Sequence, residues 1–294
     1  MLDIHNVSRS FGGRAALQGV SFTVEPGRMT GFVGGNGAGK TTTMRIILGV
    51  LSADSGTVSL DGEPLGPERR RSFGYMPEER GLYPKMKVGE QIAYLGRLHG
   101  MSASDAKRST DALLDRLELG GRTNDLVESL SLGNQQRAQI AAALVHDPDV
   151  LVLDEPFSGL DPLAVRNVQD VLTEHAARGV PVLFSSHQLD IVERLCDDLV
   201  VIADGRIRAS GARTALQQTH GGHRYELTVA DDAGWVRDVP GVRVVELDGP
   251  YVLVEADDEA AAQSLLRRAF DRGAVRSFTP QRPSLAQVFT EVVS

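Results

Sequence analysis

Gly34-Gly35-Asn36-Gly37-Ala38-Gly39-Lys40-Thr41 fits the pattern G-x-x-x-x-G-K-[ST]. The residue types suit one task. Glycines let backbone N–H groups converge on anionic oxygens without Cβ clashes. Lys40 supplies a positive charge for the β- and γ-phosphates of a nucleoside triphosphate, and the Thr41 hydroxyl is placed to ligate Mg2+. A chance glycine-rich turn would share the composition but not the context. The loop follows the apolar run Met29-Thr30-Gly31-Phe32-Val33, read as a buried strand. It precedes Thr-Thr-Met-Arg-Ile-Ile-Leu, read as a helix from Lys40 to about Gly49 whose N-terminal dipole adds to the anion site. The phosphate-binding set is therefore Gly34, Gly35, Asn36, Gly37, Ala38, Gly39, Lys40, Thr41 and Thr42.

Two further stretches complete a reaction site. Val150-Leu151-Val152-Leu153 is a short continuous apolar run, expected for a central parallel strand, and it ends in Asp154-Glu155. Ligands of α/β sheets sit at the carboxyl ends of strands. Asp154 is thus placed to bind Mg2+, directly or through water, and Glu155 to polarise a water attacking the γ-phosphate. Acidic strand ends are often merely solvated. This one lies downstream of the loop and is followed by Pro156-Phe157-Ser158-Gly159-Leu160-Asp161-Pro162. A second buried strand, Pro181-Val182-Leu183-Phe184, leads through Ser185-Ser186 to His187, which could hydrogen-bond a γ-phosphate oxygen.

Strands alternating with helices argue for an α/β core. Alternation in Leu2, Ile4, Val7 and in Val20, Phe22, Val24 predicts two N-terminal strands, and Thr57–Leu60 with Asp61-Gly62 predicts a strand and turn. Residues 85–125 have helical periodicity, with Ile92, Leu95 and Leu98 expected on one face and Leu113, Leu114 and Leu117 on another. Gln135–His146 reads as a further helix. The pattern changes around Gln217 to Gly222. Strands are then expected at Tyr225–Val229, Val242–Leu247 and Tyr251–Glu255, a helix at Glu259–Phe270 and an amphipathic segment at Leu285–Val293. The expected division is an α/β domain over 1–216, containing a helical subdomain, and a small α+β domain over 223–294. In the latter, His223, Asp257, Asp258 and Glu259 lack metal-ligand spacing, and a solvated surface is the better reading.

The 294 residues carry a net charge of −8, which argues against a protein that coats nucleic acid. No apolar run approaches the roughly 18 residues of a membrane span, and no signal peptide is visible at the N-terminus. The single cysteine, Cys196, reads as a small buried hydrophobe.

Together these motifs resemble the ATP-binding cassette (ABC) superfamily over about residues 2–212. Gly34–Thr41 corresponds to Walker A, Val150–Glu155 to Walker B, Ser158-Gly159-Leu160-Asp161 to the D-loop, and His187 to the switch histidine. Leu130-Ser131-Leu132-Gly133-Asn134-Gln135-Gln136-Arg137 is similar to the signature sequence LSGGQ, with Leu and Asn as departures. The resemblance implies a P-loop NTPase fold with a helical subdomain, ATP and Mg2+ as cofactors, and catalysis by Glu155, His187 and Lys40. It further implies a head-to-tail homodimer, in which each ATP lies between one P-loop and the partner's signature segment. Ser131 and Gly133, with Asp161, then belong to the nucleotide site. Phe11 falls where the family stacks an aromatic ring on adenine. Glu78 takes the place of the family's Q-loop glutamine, where a carboxylate could still contact Mg2+ or its water.

Pro77–Pro84 and the C-terminal Pro283-Ser284-Leu285-Ala286-Gln287-Val288-Phe289 resemble bacterial ABC-2-type exporter ATPases, including sodium-efflux and antibiotic-resistance groups. That implies a separately encoded integral-membrane permease as partner and a peripheral position on the cytoplasmic face of the membrane. Glu79-Arg80 is expected to help transmit closure to it. Two alternatives stand: a soluble ABC-type ATPase acting on a macromolecular complex, and a nucleotide-binding module without turnover.

Overall fold

The computed structural model describes residues 1–79, 81–220, 223–281 and 283–293. The chain forms two compact units, Met1–Ala212 and Arg213–Ser294.

The first unit opens with β1 (Leu2–Phe11), β2 (Arg14–Val24), β3 (Met29–Val33), α1 (Lys40–Ile47), β4 (Ser55–Leu60) and β5 (Glu63–Pro64). It continues with α2 (Pro67–Arg70), β6 (Phe73–Met76), α3 (Val88–Leu98), α4 (Ala103–Arg116) and α5 (Leu132–Leu144). It closes with β7 (Val150–Leu153), α6 (Pro162–Ala177), β8 (Val182–Ser186), α7 (Leu189–Leu195), β9 (Asp198–Ala203) and β10 (Arg206–Ala212). One sheet has the order β10-β9-β3-β8-β7-β6, parallel except for β10. The other is antiparallel, in the order β2-β1-β4-β5. Every residue of β3, β7 and β8 is buried, which explains why these strands read as continuous apolar runs. Phe22, Phe32, Met44, Ile47 and Val152 share the core between the two sheets.

Local signals account for several boundaries. α1 stops at Ile47 because Gly49, at φ 74°, turns the chain left-handed and its N–H bonds back to Ile46. Asp61 and Gly62 both have positive φ, the conformation of a type I′ hairpin turn, and join β4 to β5. α5 starts three residues before the expected Gln135, because the Ser131 hydroxyl caps it by accepting from Asn134 N–H.

One expected face needs correction. Ile92 is buried, but Leu98 is 64% exposed. A spacing of three residues falls about 60° short of a full turn, so Leu98 lies about 120° around the helix from Ile92. The buried face of α3 instead follows Val88, Gln91, Ile92 and Gly96. In α4 and the residues after it, Leu114 and Leu117 are buried as expected.

The second unit consists of α8 (Arg213–His220), β11 (His223–Val229), β12 (Val242–Asp248), β13 (Tyr251–Ala256), α9 (Glu259–Arg272), β14 (Val275–Pro280) and α10 (Leu285–Val293). Its antiparallel sheet has the order β12-β13-β11-β14. Alternate residues Tyr225, Leu227 and Val229, with Val252 and Val254, pack against Ala262, Leu265 and Ala269 of α9. This unit therefore has a core of its own. Gly221 and Gly222, where the sequence pattern changes, lie outside the described residues.

Candidate functional site

The loop between β3 and α1 borders a cavity of about 650 Å³. Gly34 through Thr42 line it, together with Ala16, Glu78, Asp154, Glu155 and His187. Parallel pairing of β3 with β8, and of β8 with β7, brings the three strand ends to one edge of the sheet. The phosphate-binding loop, the acidic pair and the histidine therefore converge.

Two glycines are required by the surroundings. A Cβ on Gly34 would lie 2.4 Å from the carbonyl oxygen of Ile202. Gly39 sits at φ 112° and its Cβ would press on Leu17. Gly35, by contrast, has open space and no positive φ. Lys40 is buried beneath the loop, where its Nζ donates to the carbonyls of Gly34 at 2.7 Å and Gly35 at 3.2 Å. The turn after β9 braces the loop from outside, through Gly205 N–H donating to Ala38 O at 3.1 Å.

The acidic pair is tightly held. Thr41 Oγ1 donates to Asp154 Oδ2 at 3.0 Å, and Ser185 Oγ donates to Asp154 Oδ1. These are oxygen donors only, the chemistry suited to a hard divalent cation that keeps water and phosphate ligands. Among the described residues there is no cluster of three or more His, Cys, Asp or Glu side chains that could enclose a metal ion without such help. Glu78 is exposed and lines the cavity from the segment after β6.

Glu155 is buried and adopts φ 53°, a left-handed conformation that costs a non-glycine residue about 1–2 kcal/mol. Its N–H donates to Ser185 Oγ at 2.9 Å. Its carbonyl accepts from Gln136 Nε2 at 2.8 Å and from Ser158 N–H at 3.2 Å. Its carboxylate lies 2.9 Å from Nδ1 of the more exposed His187. The result is a carboxylate aimed into the cavity beside an imidazole, next to a lysine and a hydroxyl–carboxylate pair.

Four of the expected residues do not line this cavity. Phe11 is exposed at the end of β1, with the Arg9 guanidinium 5.0 Å from its ring centre. Ala16, on the returning strand β2, reaches the cavity instead. Ser131 caps α5, and a Cβ on Gly133 would lie 3.3 Å from Gly159 O, so this helix start sits against the Ser158–Leu160 turn. Asp161 caps α6, accepting from Leu163 and Ala164 N–H. Glu79 is exposed, and Arg80 lies outside the described residues. Ser185, Gln136 and Ala16 join the site although the sequence reading gave none of them a role, Ser185 and Gln136 lying inside quoted motifs and Ala16 outside any. Ser185 had a signal, a hydroxyl inside an otherwise apolar buried strand. Ala16 had none.

Comparison with known proteins agrees with this architecture. Residues 17–158 match the ABC transporter family, and residues 211–293 match the family described as ATP-binding protein DrrA1-3-like, C-terminal domain. The ABC transporter ATP-binding protein YhaQ of Bacillus subtilis (strain 168) is 37% identical over 293 residues, covering 100% of this chain and 98% of its own. Nod factor export ATP-binding protein I of Burkholderia lata is 43% identical over 219 residues, covering 73% of this chain and 72% of its own. A solved ATP-binding subunit of an ABC transporter superposes with a TM-score of 0.70 at 33% identity, covering 75% of this chain and 93% of that one. A full-length relative at this identity, on the same cassette fold, establishes that the chain belongs to the ABC transporter ATP-binding protein family.

Proposed function

We propose that this chain hydrolyses ATP to drive export through a separately encoded integral-membrane permease of the ABC-2 type. One observation carries the reading: Lys40, Asp154, Glu155 and His187 face a single cavity floored by a phosphate-binding loop. Lys40 and the loop N–H groups neutralise the β- and γ-phosphates. Thr41 and Asp154, with Glu78 lining the same cavity, would hold Mg2+, which supplies charge stabilisation to the phosphates when bound. Glu155 accepts a proton from the attacking water, and His187 donates a hydrogen bond to a γ-phosphate oxygen.

The site is half of a larger one on this reading. Ser131 and Gly133 stand at the N-terminus of a 13-residue helix, a place suited to phosphate, yet they do not line the chain's own cavity. Two copies packed head to tail would bring each helix start to the partner's ATP, with Asp161 at the same boundary and Phe11 against the adenine. Among the described residues no helix is long and apolar enough to cross a membrane. Attachment to the cytoplasmic face therefore falls to the permease. The export assignment draws on the relative named for Nod factor export.

Glu155→Gln is expected to keep ATP binding and lower turnover by ~100-fold or more, the scale of general-base catalysis. Lys40→Ala is expected to weaken binding itself. Calorimetry with steady-state phosphate release separates the two. Wild-type turnover in Glu155→Gln would remove Glu155 from the reaction. Co-purification with a membrane protein encoded nearby tests the transport assignment.

A further inference from the structure

Beyond the residues facing the cavity, we infer that Gln136 is a positioning residue for Glu155, tying the helix that begins at Ser131 to the base of the same chain's own site. The inference rests on the reading of Glu155 as that base. Gln136 lies on the first turns of α5 and is nine-tenths buried, an unusual place for an amide unless it is paired. Its Nε2 donates to the Glu155 carbonyl at 2.8 Å. Glu155 needs such support. It has φ 53°, where β-carbon crowding favours glycine, and it lies two residues beyond the end of β7, outside the strand ladder. Ser185 of β8 fixes its N–H and Gln136 of α5 fixes its carbonyl. The peptide units on either side of the Glu155 Cα are thus set by side chains from two different elements. The direction of the carboxylate, and its 2.9 Å approach to His187, follow from that clamp.

The neighbouring glutamines of α5 strengthen the case for a rigid connection. Gln135 Nε2 donates to the carbonyls of Val127 and Leu130, fixing the segment just before the helix cap. Gln139 Oε1 accepts from Gly81 N–H at 2.8 Å, in the loop that follows Glu78. A shift of α5 is therefore felt at both Glu155 and the Glu78 loop. Where Ser131 contacts a phosphate held by the partner, Gln136 carries that event to the site of its own chain. The short path and the buried amide make Gln136 the member to test.

The experiment uses the full chain. Gln136→Met keeps the side-chain volume and removes the donor, and Gln136→Asn withdraws the amide by one methylene. Each is expected to lower kcat at least ~10-fold, the sensitivity of a positioned group to small displacement. The Kd for ATP, measured by calorimetry, should stay within about 2-fold, because no phosphate contact is touched. The NMR resonances of the His187 ring provide a readout that simple destabilisation would not move. They should shift in Gln136→Met, because freeing the Glu155 carbonyl moves its carboxylate relative to His187 Nδ1. Wild-type kcat in both folded Gln136 variants overturns the inference, as does a kcat loss with His187 resonances unmoved. If Glu155→Gln itself turns over at the wild-type rate, the reading of Glu155 fails and this inference with it. A slow Glu155→Gln beside a normal Gln136→Met sinks the inference alone.

Discussion

Gly34 and Gly35 stand side by side, yet a methyl group would meet different surroundings at each. At Gly34 it would strike the Ile202 carbonyl at 2.4 Å, which is backbone and cannot swing away. At Gly35 nothing lies within 4 Å. Gly34→Ala is therefore expected to cost about 1–3 kcal/mol, the range for overpacking a filled site. Gly35→Ala should be neutral or slightly stabilising, within about 1 kcal/mol, through loss of unfolded-chain freedom. Thermal melts of the two variants check this, and equal destabilisation would refute the steric account. The motif pattern already requires Gly34 and leaves the next four positions free, but it carries no reason for the difference. The reason is Ile202 on β9, 168 residues downstream of Gly34 by numbering. Asp161 has a similar history. Its motif was legible, but its use as the cap of α6 depends on where the chain turns.

At the scale of elements, legibility followed burial in part, since the buried strand β9, Asp198–Ala203, was not read from the sequence. β7 and β8 are buried on both faces, so their apolar runs announced them. β6 is four residues long and includes Gly74, whose missing Cβ leaves room for the Ala143 carbonyl, so it shows no period. β10 is a mostly exposed antiparallel edge strand rich in small residues, equally mute. The helix ends hold a feature that no periodicity reports. His99 follows α3 and His146 follows α5, and their rings stack with centres 3.6 Å apart. His99 Nδ1 lies 2.8 Å from the Arg71 carbonyl, and His146 Nε2 lies 3.2 Å from that of Phe73. Burial, and next the His99 ring, push the His146 imidazole down to about 4, against the smaller opposing pull of the Phe73 carbonyl, Asp147 and Asp149. The unfolded chain binds this proton below about 6.5, whereas the folded chain binds it only near 4. Its contribution to stability is thus full above about pH 6.5 and is lost as pH falls toward 4. His146→Gln should flatten the fall in Tm across that window. A parallel fall in variant and wild type would show that another group governs it.

The whole molecule divides into units with separate cores, and the candidate reaction site lies in the first. The second was legible as a fold because its strands alternate, and silent as to function because its sequence shows no catalytic constellation. The larger question is whether the first unit works alone. Ser131 and Gly133 do not line the cavity of the phosphate-binding loop, and the proposed site calls on a partner to supply them. Two crippled chains can test this. Lys40→Ala removes the phosphate charge of its own loop, and Ser131→Arg places a bulky cation at the helix start offered to the partner. Neither homodimer should turn over ATP, although Ser131→Arg should still bind nucleotide. In a mixed dimer, one site combines both defects. The other pairs the intact loop of the Ser131→Arg chain with the intact Ser131 of the Lys40→Ala chain. For a two-fold dimer with random pairing and independent sites, an equal mixture should recover about a quarter of wild-type turnover. Recovery should vanish when the second chain also carries Glu155→Gln, because the intact site then lacks its base. No recovery on mixing stable, dimerising variants would mean that each chain completes its own site.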